Sequence, residues 1–166
     1  MTKQNVQMME PELCAHPEAF CLVGYPVEAD PSLDTVQRGA YWQGKQFPPF
    51  DEAEYAKIGG GPAEIGVWTH EDGRLIYIFG YVVPEIGYVP ETMRSVTIPG
   101  GDFAVFQVPA CKGAEELADN LRGTWRYACD EWLPGSAYEA DPTRMAFEYY
   151  SGSDAAVYIP VRGRAK

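Results

Sequence analysis

The chain is organised around Trp125 to Val161, WRYACDEWLPGSAYEADPTRMAFEYYSGSDAAVYIPV. This stretch reads as the end of a helix with two tryptophans, a loop rich in Pro, Gly and Asp, and two short strands. The strands, Met145 to Tyr150 and Ala155 to Val161, flank the turn residues Ser151-Gly152-Ser153-Asp154. One residue is out of keeping with its neighbours. Glu148 stands inside the run Phe147-Glu148-Tyr149-Tyr150, where a carboxylate is costly unless a partner compensates it.

On the N-terminal side of this stretch, Gly113 to Trp132 is the clearest helix, with Leu117, Leu121, Trp125, Ala128, Cys129 and Trp132 along one side. Glu64 to Thr69 and Arg74 to Val83 form another hairpin across Glu71-Asp72-Gly73. The second of these strands is the most apolar run in the chain and belongs in the middle of a sheet. Gly80 within it marks a kink or a close approach of backbones. Ala19 to Val27 is a strand, stopped at Asp30-Pro31. Pro31 to Phe47 follows with Leu33, Val36 and Ala40 near helical spacing, and is read as a helix that Gly39 and Gly44 weaken. A short helix fits Asp51 to Lys57. Ser95 to Pro99 and Phe103 to Val108 are strand-like. The loop Gly59-Gly60-Gly61-Pro62 lacks the Lys-Ser/Thr that a phosphate cradle requires.

The order strand, helix, hairpin thus occurs twice, from about Ala19 to Val83 and from about Phe103 to Val161. Two such βαββ units predict an α+β fold: a curved antiparallel sheet with pseudo-two-fold symmetry, helices on one face and a central ligand groove. The whole of residues 1–166 is read as one domain, with 1–18 as a loose N-terminal segment.

Composition narrows the function classes. The net charge of -11 disfavours general nucleic-acid binding, and 46% hydrophobic residues argue for a folded chain. No apolar run approaches the length of a membrane span, and the N-terminus lacks a signal-peptide core, so a cytoplasmic protein without membrane contact is expected. Cys14, Cys21, Cys111 and Cys129 are widely spaced, which favours reduced structural thiols over disulfides or a metal site. No cofactor is expected. His16 and His70 are the only histidines, and neither pairs with a nucleophile in the sequence.

Several short motifs carry a family resemblance. They are Ser95 to Phe106 (SVTIPGGDFAVF), Trp125 to Tyr138, Phe147-Glu148-Tyr149-Tyr150 and Val157-Tyr158-Ile159-Pro160-Val161, with Ile65-Gly66-Val67 and Tyr77 to Val82 in the first half. In order and spacing these resemble the GyrI-like, or AraC-type, effector-binding domains over roughly Ala19 to Val161, whose duplicated βαββ fold is SOUL-like. The resemblance implies a central hydrophobic pocket for small, often aromatic and cationic molecules, with a buried glutamate as charge partner. Glu148 matches that glutamate. Many relatives carry the domain behind a helix-turn-helix module. About 18 residues precede the first strand here, so a stand-alone form without direct DNA binding is expected. A regulator or gyrase as protein partner is implied by some relatives.

Alternation along the last hairpin places Ala146, Glu148 and Tyr150 on one face and Met145, Phe147 and Tyr149 on the other. The second set is expected against the helices and the first along the groove. Tyr158, Tyr77, Tyr81 and Trp68 are further candidates for aromatic walls, though their facing does not follow from the sequence. A carboxylate in an aromatic box suits a lipophilic cation, because ring faces attract positive charge. The plainer alternative leaves Glu148 in solvent with the tyrosines merely packing. An enzyme is the less favoured reading: the resemblance implies, as the alternative, a hydrolase of electrophilic, cyclopropane-bearing molecules, for which Glu148 would be the general base. Trp125 and Trp132 are read as core anchors.

Overall fold

The computed structural model describes residues 10–164. Its strands are β1 (Glu12–His16), β2 (Phe20–Ala29), β3 (Glu64–Glu71), β4 (Arg74–Val83), β5 (Arg94–Ile98), β6 (Gly101–Gln107), β7 (Tyr138–Ala140), β8 (Phe147–Ser151) and β9 (Asp154–Gly163). Two helices, α1 (Glu52–Ile58) and α2 (Ala114–Arg126), complete the frame, and α2 runs on into a wider π-helical segment, Tyr127–Trp132.

Neighbouring strands pair antiparallel in the order β1-β6-β9-β8-β3-β4-β2-β5, with β7 added to β9. Cut between β8 and β3, this order is symmetric: hairpin β3–β4 with β2 on one side, hairpin β8–β9 with β6 on the other. Each outermost strand comes from the other half's side of the chain, since β1 pairs with β6 and β5 with β2. The twofold βαββ plan read from the sequence is therefore the fold. β1 lies inside the segment expected to be loose, so the N-terminal expectation is corrected from Glu12 onward.

Both helices cover the same face of the sheet. Leu121, Trp125 and Ala128 pack on Phe106, Val157 and Ile159, while Ile58 packs on Val23 and Val83. The other face carries no helix among the described residues. The sheet curls until Phe20 of β2 meets Phe103, Phe147 and Tyr158 of the opposite half, at ring separations of 5.1 to 6.1 Å. Burying that aromatic cluster stabilises the curl, at roughly 1.5–3 kcal/mol for each fully buried large side chain.

Two local readings from the sequence hold at atomic level. Asp72 and Gly73 both adopt positive φ, the geometry of a two-residue turn between twisted strands. Gly80 pairs directly with Gly24 across β4 and β2, and a Cβ on either glycine would strike the backbone of the partner strand.

One reading does not hold. The segment 31–47 is a chain of turns, not a helix. Its backbone bonds are mostly of the tight three-residue kind, such as Gly39 N–H to Val36 O and Gln43 N–H to Ala40 O. Ala40 sits at φ 52°, outside the helical region. The physical reason lies in a distant residue: the Ala40 N–H, which a helix would spend on its own carbonyl ladder, is donated to Glu148 instead. The helix of the first half is α1, capped by the Asp51 carboxylate on the Glu54 N–H.

Candidate functional site

Glu148 is 3% exposed, in the row where β8 meets β3. Gly66 is its direct neighbour on β3, and Phe79 follows on β4. Three neutral donors converge on the carboxylate. The Ala40 N–H and the Trp125 indole N–H reach Oε2 at 2.9 and 2.8 Å, and the Tyr150 hydroxyl reaches Oε1 at 2.7 Å. Tyr150 in turn accepts from the Trp42 indole N–H at 2.7 Å. No lysine, arginine or histidine forms an ion pair with Glu148 among the described residues. Burial pushes its pKa up, while the three donors and the field of Arg122 pull it down; burial is the larger effect.

The facing of the last hairpin is the reverse of what the sequence suggested. Ala146 and Tyr150 pack toward α2, and Met145 and Tyr149 join Phe147 within the curl. Alternation separates the two sets correctly. It does not say which face the helices cover, because the curl gives the other face an apolar partner of its own.

Four of the five other candidate residues share the face of Glu148. Tyr77 and Trp68 are cross-strand partners on β4 and β3, with ring centroids 5.0 Å apart. Tyr150 bonds to Glu148, and Tyr81 lies one row away, paired with Glu64. Tyr158 does not join them. It stands opposite Phe147 and stacks on it at 4.8 Å, on the other face of the sheet.

The segment 31–47 brings the residues that sequence reading missed. Tyr41 packs on Trp68 and Tyr77, Trp42 bonds to Tyr150, and Phe47 packs on Phe79 and Tyr25. The segment therefore crosses the sheet face over Glu148. The glycines at 39 and 44, which weakened the helical pattern, were the available signal. Gly39 lies against the Trp125 ring with no space for a Cβ. Trp125, read as a core anchor, is buried as such and is also a Glu148 partner.

A cavity of about 280 Å³ opens beside this cluster. Trp68, Trp125, Met145 and Ala146 supply its apolar wall, and the Pro142–Arg144 part of the loop after α2 forms its rim. Glu148 does not open onto it; Trp125 stands between. Arg144 at the rim is paired with Asp141 at 3.1 Å. The Arg38 guanidinium lies over the Trp68 ring, 5.4 Å from its centroid.

Tyr77 is 1% exposed, and its hydroxyl is the buried side-chain polar atom left without a hydrogen-bond partner among the described residues. It projects over Gly66, whose missing side chain makes the space. An unpaired buried hydroxyl costs about 1–3 kcal/mol. Tyr77→Phe is therefore expected to raise stability by about 1 kcal/mol in thermal or urea unfolding. A loss of stability instead would mean that the hydroxyl is bonded in solution.

Comparison with known proteins follows the same lines. A family model, Cass2, described as integron-associated effector binding protein, matches residues 49–161. Among curated proteins, none matches the sequence. The structure of SAV2435 bound to tetraphenylphosphonium is similar at a TM-score of 0.63 and 16% identity, over 93% of this chain and 95% of that one. A candidate bacterial transcription regulation protein from Staphylococcus aureus MU50 gives 0.60 and 16%, over 93% and 99%. An integron cassette protein from the mobile metagenome of Vibrio cholerae gives 0.54 and 13%, over 96% and 100%. At these identities the likeness is one of fold. No helix among the described residues is long and apolar enough to cross a membrane.

Proposed function

The chain belongs to the integron-associated effector-binding family, and on that premise we propose that it holds an aromatic, cationic small molecule against Glu148. The observation that carries this reading is a buried carboxylate with three neutral donors and no ion-pair partner among the described residues. Such a group has no counter-charge at low dielectric, and a ligand cation would stabilise its ionised form. The surrounding rings of Trp68, Tyr77 and Tyr150 offer π faces to the same cation. Arg38 over Trp68 is a model of that contact within the chain itself.

Access requires the 31–47 segment to withdraw. The cost is the Ala40 N–H bond to Glu148 and the Trp42 indole bond to Tyr150. Lacking a helical ladder, the segment has few backbone bonds of its own to break. The cavity beside Trp68 and Trp125 is the entrance in this reading, with Arg38 displaced from the ring that the ligand takes. The relative bound to tetraphenylphosphonium lends the ligand class.

Tryptophan fluorescence tests the proposal, because Trp68, Trp125 and Trp42 surround the site. Titration with tetraphenylphosphonium is expected to quench wild type saturably and to weaken about tenfold or more in Glu148→Gln. Calorimetry in buffers of different ionisation enthalpy should record proton release on binding, since the cation lowers the raised pKa of Glu148. Equal affinity for both proteins, with no proton released, sinks the charge-pairing role.

A further inference from the structure

A second, smaller cavity lies on the same sheet face within the first half of the chain. It has a volume of about 70 Å³ and is walled by Tyr25, Phe47, Phe79 and Tyr81, with Glu64 at its edge. The rings are close enough to act together: Phe47 stands 5.4 Å from Phe79 and 6.4 Å from Tyr25, and Tyr55 backs Tyr81 at 5.0 Å. Phe79 and Tyr150 are in ring contact at 5.9 Å and stand between this cavity and Glu148.

The charge around the cage is of one sign. Burial, then Glu54 and Asp51, raise the pKa of Tyr25; burial, then Tyr25 and Glu64 among others, raise that of Tyr81. Neither Asp51, Glu54 nor Glu64 forms an ion pair among the described residues. An aromatic enclosure under uncompensated negative potential is matched by a cation with little hydration of its own. A primary ammonium would need several acceptors to replace its water, and the cage edge supplies one carboxylate. A quaternary ammonium has no N–H to satisfy and gains from every ring face. The volume suits a compact onium group and excludes a fused ring system.

We propose that this aromatic cage is a separate binding site that takes the quaternary or fully alkylated ammonium group of a small molecule. Its chemistry does not rest on Glu148, although Tyr81 is also a candidate on the Glu148 face and Phe47 belongs to the segment that covers Glu148.

Choline, titrated into the full chain and followed by the NMR ring resonances of Tyr25 and Tyr81, tests it. The comparison ligand is the neutral alcohol in which a quaternary carbon replaces the nitrogen. Choline is expected to shift both rings saturably, and the neutral isostere to bind about tenfold more weakly. Phe47→Leu and Glu64→Gln should each weaken choline by about tenfold while circular dichroism stays unchanged, and Glu148→Gln should leave it unaltered. The proposal is overturned if neither ring shifts saturably, if the isostere binds as well as choline, or if Glu148→Gln abolishes the shifts. The last result would assign the cation to Glu148 instead.

Discussion

Glu148→Ala is expected to destabilise the protein by about 2–6 kcal/mol, from two stranded donors at about 1–3 kcal/mol each. The donors are the Ala40 N–H and the Trp125 indole N–H, which share Oε2 and have no other acceptor within the cluster. Tyr150 is affected less, because its hydroxyl still accepts from Trp42. Glu148→Gln keeps one amide oxygen as acceptor and should cost far less. Urea unfolding of the two variants separates the cases; equal loss in both would mean that charge, not hydrogen bonding, ties the 31–47 segment to the sheet.

The same pair of proteins carries a pH signature. The folded pKa of Glu148 lies above its ordinary value of 4.5, chiefly through burial. Between the two values the folded chain holds a proton that the unfolded chain has released. Stability contributed by this residue is therefore fully present below 4.5 and declines as pH rises toward the folded pKa. Glu148→Gln removes the titrating group, so the difference in unfolding free energy between wild type and variant should shift in the variant's favour as pH rises through that window. A difference independent of pH would place the pKa of Glu148 at its ordinary value.

Gly80→Ala is the second large effect, with an expected loss of about 1–3 kcal/mol or more. A Cβ at Gly80 meets the Val23 carbonyl and the Gly24 Cα, and one at Gly24 comes within 2.6 Å of the Phe79 carbonyl oxygen. These are backbone atoms in the interior pairing of β2 with β4, so no side chain can swing aside. The strands must separate, which lengthens ladder bonds and loosens the curl. Gly24→Ala should behave alike, and the double variant should cost less than the sum, because one separation relieves both clashes. Thermal unfolding measures all three; wild-type stability in Gly80→Ala would mean that the strands lie farther apart than described here.

The difference between these two sites is instructive. Gly80 could be picked out from the sequence because a glycine amid Leu75 to Val83 breaks an otherwise uniform pattern of strand formers. Its consequence is local to one pair of strands. Glu148 could be picked out in the same way, as a carboxylate among aromatics. Its partners could not, since Ala40 lies 108 residues away and Trp125 lies 23 away on another element. Nothing in the spacing of Leu33, Val36 and Ala40 announces that one amide in the run will bond to a distant carboxylate.

The hairpins, α2, the repeated order of elements and the out-of-place carboxylate at Glu148 are all legible in the sequence. Those follow from local causes: period-two alternation, turn residues with positive φ, and one apolar helix side. Tertiary structure alone decided three things. It placed Tyr158 within the curl, away from Glu148; it unwound 31–47 into a strap; and it turned Glu148 toward the helices. Two causes account for them. The sheet closes on itself, so both of its faces are apolar, and alternation cannot say which is the inner one. A helix with a long-range alternative for its N–H groups likewise yields to the bond that satisfies a buried charge.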